Sequence, residues 1–154
     1  MNKFWLASSF FLVLLVSRTI GSLPGQETGP KPTDSPGLKE KASLAVNLVR
    51  AINTAEGSYK VAHGVYTSWG ALAASSEFAA ARKWAATNDP QIANLALSKG
   101  ADILPGWSVR LTVGEGGRSF DVLLEDKGDQ ACGYAVLSDE RNLIRQSKTI
   151  DCPI

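Results

Sequence analysis

The sequence is poor in the side chains that carry most catalytic and metal chemistry. Its 154 residues include one histidine, His63, and two cysteines without a Cys-x-x-Cys spacing. A structural zinc site takes four Cys or His ligands, and a general base needs a nucleophile and an orienting group beside it. No serine stands in a Gly-x-Ser-x-Gly elbow. We therefore predict no catalytic residue, no metal and no cofactor, and we interpret His63 as a helix cap.

An excess of charge of one sign is also missing. The chain has sixteen Lys and Arg against fifteen Asp and Glu, without the basic cluster that phosphate binding requires. Nucleic acid is therefore not an expected partner, and an anionic membrane surface is disfavoured for the same reason. The glycine-rich run from Gly114 to Gly117 lies between two predicted strands, so it indicates a hairpin turn rather than a phosphate-binding loop.

Only one long apolar stretch is present, and it lies at the start of the chain. Lys3 precedes thirteen mainly apolar residues, Phe4 to Val16, and small or turn-forming residues follow up to Gly25. This length suits a signal peptide and is short for a bilayer span. We predict that residues 1–25 are a signal peptide and that the protein is exported, periplasmic or secreted, with no stable membrane span after cleavage. An uncleaved anchor is the alternative, because Arg18 is unusual directly after the apolar stretch.

The rest of the chain divides into a tether and one domain. Residues 26–37 are rich in proline and glycine and hold almost no apolar side chains, which is typical of an extended tether. Residues 38–154 have the length and the composition of one compact domain.

A long amphipathic helix opens this domain. Apolar residues recur at steps of three and four at Ala45, Leu48, Ile52, Ala55 and Tyr59. The opposite side is predicted to be a solvated face formed by Lys39, Lys41, Asn47, Arg50 and Glu56. Ser35 and Pro36 indicate the start of the helix, and His63 followed by Gly64 indicates its end.

The middle of the chain, Thr67 to Leu104, is rich in alanine and predicts short helices over residues 68–74, 77–86 and 90–97. Its large aromatic side chains have two interpretations. Aromatic residues of small domains are usually core, but exposed indoles would form a binding surface. The candidate residues for such a surface are Trp69, Trp84 and Trp107.

After Pro105 the period of the apolar residues changes to two, which indicates strands. Four strands are predicted over residues 107–113, 119–125, 132–137 and 143–147, joined by short turns. Consecutive strands with short turns form an antiparallel meander. The predicted fold class is therefore α+β, with the long helix packed on this meander and short helices between them.

The two cysteines, Cys132 and Cys152, predict one disulfide, since an even count in an exported chain indicates a bridge. In the last hairpin the numbers of facing residues should add to about 281, which places Cys132 opposite residue 149 and close to Cys152. Acidic residues near the strand ends lack the dense spacing of a calcium loop, so we interpret them as solvated turns; they are Asp121, Glu125, Asp126, Asp129 and Asp139.

Several segments resemble the head domains of type IV pilins and of type II secretion pseudopilins. They are Leu48 to Tyr59, Gly64-Val65-Tyr66, Ala71-Leu72-Ala73, Gly133-Tyr134-Ala135-Val136 and Leu143-Ile144-Arg145. The order of elements is similar too, and the resemblance implies a pilin-like fold. The chain departs from the family because it lacks the leader ending in glycine and the apolar helix with its glutamate, which build the filament.

From these observations we expect an exported, non-enzymatic, pilin-like structural or protein-interaction module, associated with secretion or pilus machinery. It should be a monomer with a protein partner that the sequence does not identify. The alternative is a periplasmic protein that binds a small ligand in a pocket of the aromatic middle region. A hydrolase is the least favoured class, because no catalytic grouping is visible.

Overall fold

The computed structural model describes residues 36–96, 103, 106–128 and 133–148. The chain divides into two units, Met1–Lys31 and Pro32–Ile154, and all described residues belong to the second. This unit is α+β, with a long helix, shorter helices and a four-stranded antiparallel sheet in the order β1-β2-β3-β4. The predicted fold class, a helix packed on an antiparallel meander, is confirmed.

Helix α1 spans Pro36–His63. The predicted apolar positions lie in the core, with Ala45, Leu48, Ile52 and Ala55 at most 1% exposed. The helix stops at Gly64, whose positive φ of 82° is a conformation that glycine adopts without steric cost. The Gly64 amide donates to the carbonyl of Lys60 at 2.8 Å and closes the last turn. Both predicted ends of the helix are confirmed to within two residues.

One residue that is predicted to lie on the solvated face of α1 is buried instead. Glu56 is fully buried, and its neighbour on the same side, Asn53, is 5% exposed. The reason is that α1 is covered from two directions, since it contacts both helix α3 (Ser76–Ala85) and strand β3 (Ala135–Asp139). The buried stripe is therefore wider than the pattern of apolar residues alone indicates.

The middle of the chain forms α2 (Trp69–Ala73), α3 (Ser76–Ala85) and a 3-10 helix, Pro90–Asn94. Ser75 caps α3, because its side chain accepts a hydrogen bond from the Phe78 amide at 3.1 Å. The third predicted helical stretch is thus a 3-10 turn rather than an α-helix. The Asp89 side chain caps that turn by accepting from the Gln91 amide.

The sheet consists of β1 (Trp107–Val113), β2 (Phe120–Asp126), β3 (Ala135–Asp139) and β4 (Arg145–Ser147). Strand β1 has the predicted bounds, and a short 3-10 turn, Glu115–Gly117, connects it to β2. One face of the sheet packs into the core through alternate residues, as period-two strands require. Its buried side chains are Trp107, Val109, Phe120, Val122, Leu124 and Val136.

The register of the last hairpin differs from the prediction by one residue. Ala135 faces Ser147 and Leu137 faces Arg145, so the numbers of facing residues add to 282 rather than about 281. Strand β3 continues to Asp139 and β4 begins at Arg145, so the connection has five residues as predicted but lies two residues later. Asn142 in this connection has a positive φ of 60°, and its amide donates to the Asp139 carbonyl. Cys132, residue 149 and Cys152 lie outside the described residues.

Candidate interaction surface

Trp84 lies on the surface of α3 and is 59% exposed. The core side of this helix is formed by Phe78, Ala81 and Ala85, which recur at helical spacing and are at most 5% exposed. Trp84 follows Ala81 by three residues but precedes Ala85 by one, so its indole projects from the flank of the helix. A large exposed indole is the kind of side chain that anchors protein interfaces.

A groove of about 300 Å³ lies beside this indole, between α1 and the end of α3. It is lined by Asn47, Arg50, Trp84, Ala85 and Asn88. The Asn47 side-chain oxygen accepts a hydrogen bond from Arg50 Nη1 at 3.1 Å, which holds the guanidinium over the groove wall. The groove therefore combines one aromatic face with amide groups that both donate and accept and with one cation.

The other two candidate tryptophans have different environments. Trp107 is 4% exposed and packs edge-on against Tyr134, with ring centroids 5.9 Å apart. Trp69 is half-buried and packs edge-on against Phe78 at 5.3 Å. The structure does not bring the three indoles into one surface. Of the three, only Trp84 is mostly exposed.

Asn53 and Glu56 are two buried polar residues of α1 that sequence reasoning missed. The Asn53 amide donates to Ser138 Oγ of β3 at 2.7 Å, and one Glu56 carboxyl oxygen accepts from the Thr67 amide at 3.1 Å. Among the described residues, neither the amide oxygen of Asn53, Oδ1, nor the other carboxyl oxygen of Glu56, Oε1, has a hydrogen-bond partner. Burial raises the pKa of Glu56 to about 7, against the lowering effect of the Thr67 bond.

The outer face of the sheet carries a charged network. Asp139 Oδ2 is 2.6 Å from Arg141 Nη2 and 3.8 Å from Arg145 Nη1. The hydrogen bond from Arg141 lowers the pKa of Asp139 and raises that of Arg141. Asp126 and Asp139 are at most 8% exposed, so the prediction that these two acids are solvated is wrong. Backbone amides satisfy both buried carboxylates, since Asp126 accepts from the Gly128 amide and Asp139 from the Arg141 amide.

His63 lies in the last turn of α1, as predicted. Its Nε2 atom is 3.7 Å from Glu77 Oε1, and its ring packs against Tyr59 with centroids 4.1 Å apart. Within the described ranges, no three His, Cys, Asp or Glu side chains are grouped so that they could hold a metal ion. In the same part of the chain, no helix has both the length and the apolar character needed to cross a bilayer.

No family model, curated protein or solved structure matches this chain.

Proposed function

We propose that this domain is an exported, non-enzymatic, pilin-like structural or protein-interaction module that serves secretion or pilus machinery. The observation that carries the proposal is the exposure of Trp84. Leaving an indole 59% exposed forgoes the burial energy that the other large aromatics of the core obtain. A partner that covers Trp84 recovers that energy, which is how indoles come to dominate binding at interfaces.

The surroundings of Trp84 support a protein partner. Asn47 and Asn88 lie in the same groove and can bond both the N–H and the C=O groups of a polypeptide backbone. Arg50 adds a cation, and Arg residues are enriched at interface centres together with Trp. The groove has a volume of about 300 Å³, which is at the lower end of the range of small-ligand pockets and can receive one side chain of a partner.

The test compares Trp84→Ala with Val61→Ala. Val61 is a second exposed apolar residue, 90% accessible and about 16 Å along α1 from Arg50. Wild-type protein and both variants are used to retain partners from an extract of the producing cells. We expect one partner to be retained by the wild type and by Val61→Ala, and to be reduced at least about tenfold by Trp84→Ala. A partner retained equally by all three proteins would contradict the proposal.

A second candidate function is the binding of a small polar ligand in the same groove. It is favoured by the convergence of Asn47, Arg50 and Asn88 around one aromatic face. A fluorescence titration with the low-molecular-weight fraction of the same extract separates the two functions. Saturable quenching of wild-type fluorescence that Trp84→Ala lacks, with no protein retained, would favour the small ligand.

A further inference from the structure

Within the part of the chain that the structure describes, strand β1 is an edge of the sheet. It has seven residues, Trp107–Val113, and pairs with β2 on one side. The opposite edge, β4, has three residues in the described part of the chain. Proteins protect long edges with proline, bulges, short length, charged side chains or a covering helix. Strand β1 has neither proline nor a bulge in its unbroken pairing with β2, and what it does have is one charged side chain, Arg110, and a contact with α2.

The hydrogen bonds at the two ends of β1 show which backbone groups are open. The Gly114 amide donates to the Ser119 carbonyl, and the Gly106 carbonyl accepts from the Lys127 amide. In an antiparallel ladder the hydrogen-bonded pairs alternate, so the even-numbered residues of β1 bond to β2. The N–H and C=O groups of the odd-numbered residues point away from the sheet, and these residues are Trp107, Val109, Leu111 and Val113.

Two apolar side chains along this edge are partly exposed and could be covered by an added strand. Trp107 and Val109 are at most 4% exposed, whereas Leu111 and Val113 are only half-buried. All four face the inner side of the sheet, since their burial alternates with that of their polar neighbours. A strand added beside β1 would cover the exposed parts of Leu111 and Val113 while pairing with the open backbone groups.

The charge of Arg110 affects which kind of strand can pair with β1. Arg110 is exposed on the outer face at the centre of β1 and has no salt-bridge partner in the described part of the chain. Its charge does act on Glu125 of β2, whose pKa is lowered by Lys127 and, to a smaller extent, by Arg110. In a pairing of β1 with β1 of a second copy, full overlap places Arg110 directly opposite its equivalent. A shift by two residues leaves the two diagonal, roughly 7–8 Å apart. Strand β1 contains no acid, so charge favours a different strand with an acidic side chain.

We infer that β1 receives an extended segment of a partner protein, with an acidic side chain opposite Arg110. The inference rests on the proposed function and gives the partner a second contact, made through backbone hydrogen bonds. Addition of a strand to an open sheet edge is a recurring mode of peptide recognition, in which main-chain bonds provide affinity and side chains provide specificity.

Two synthetic peptides that differ in one residue test this inference. They are Val-Thr-Val-Glu-Val-Thr-Val and Val-Thr-Val-Lys-Val-Thr-Val, each with blocked ends, and binding to the exported protein is followed by NMR of its backbone amides. We expect the glutamate peptide to slow exchange of the amides of Trp107, Val109, Leu111 and Val113. Its dissociation constant should be at least about threefold lower than that of the lysine peptide, with a smaller difference at high salt.

Three variants make the result decisive. Arg110→Glu should reverse the preference between the peptides. Leu111→Pro removes an outward N–H without breaking a bond to β2 and should abolish binding of both peptides, with the amides of β2 and β3 unchanged. Trp84→Ala should leave peptide binding intact, so loss of the β1 site and loss of the Trp84 surface are separate results.

Three outcomes would overturn the inference. They are the absence of protection by either peptide, an unchanged preference in Arg110→Glu, and a wild-type dimer joined through β1.

Discussion

Asn53 and Glu56 each place in the protein interior an oxygen that has no hydrogen-bond partner among the described residues. An acceptor without a donor is costly when it is buried. The two side chains are three residues apart on α1, which puts them on one side of the helix. A proton on Glu56 would make its carboxyl group a hydrogen-bond donor. The raised pKa of Glu56, about 7, has the same physical origin, because burial penalises the charged carboxylate.

Glu56 should make the stability of the domain depend on pH. Its pKa is raised in the folded state, from 4.5 to about 7. The free energy of unfolding is therefore highest below about pH 4.5, where Glu56 is protonated in both states. It falls by on the order of 3 kcal/mol as the pH rises through 7. Glu56→Gln stays neutral and should lack this loss. Urea unfolding of both proteins at pH 5 and pH 8 measures it, and parallel changes in the two proteins would contradict a buried acid at position 56.

Sequence reasoning could identify the apolar residues of α1 but not the role of Glu56. The spacing of Leu48 and Ile52 defines one buried stripe, because each apolar side chain gains free energy on burial by itself. A buried glutamate depends on what packs over it, and the second cover of α1 comes from α3. The exposure of Trp84 was equally out of reach, since it depends on which flank of α3 the core leaves open.

At the scale of elements, the junction between α2 and α3 is held by a serine. Ser75 accepts from the Phe78 amide, and its hydroxyl donates to the Leu72 carbonyl at 2.7 Å. Ser68 precedes α2 in the same extended conformation but makes no side-chain cap bond. The two serines therefore differ in the hydrogen bond rather than in the backbone.

Replacing these serines by alanine should separate capping from helix propensity. Ser75→Ala should lower the free energy of unfolding by about 1 kcal/mol, because the cap bond is lost. Ser68→Ala should change it by less than about 0.5 kcal/mol, as is usual for exposed sites. Thermal unfolding followed by circular dichroism measures both. Equal effects of the two substitutions would show that the hydrogen bond of Ser75 does not stabilise α3.

The sequence predicts elements whose apolar residues follow a regular pattern. It does not predict features that depend on packing against other parts of the chain. Strand β1 alternates without interruption, and its bounds were predicted correctly. The β3–β4 register was predicted one residue away from the observed one. The observed connection includes Asn142 in the left-handed conformation. Hydrophobic pattern does not determine a register when one strand, here β4, is exposed at every residue.

For the whole molecule, the predicted link between Cys132 and Cys152 would close a loop of about twenty residues around the end of the last hairpin. Closing such a loop contributes about 3 kcal/mol by restricting the unfolded chain. Replacing either cysteine by serine should lower stability by a few kcal/mol without removing partner binding. Thiol labelling of the unfolded, unreduced protein checks the bridge. Two reactive thiols per chain would contradict it.

The arrangement of α1 against the sheet also has a kinetic consequence. Asn53 and Ser138 are hydrogen-bonded although 85 residues separate them in the chain. The contacts between α1 and α3 join neighbouring parts of the chain, so the helices can associate early and rapidly. Helix α1 can pack against β3 only after the long loop between them has closed. Until that loop closes, the side of α1 that faces the sheet is exposed to solvent. During protein synthesis this exposure lasts until β3 has been made.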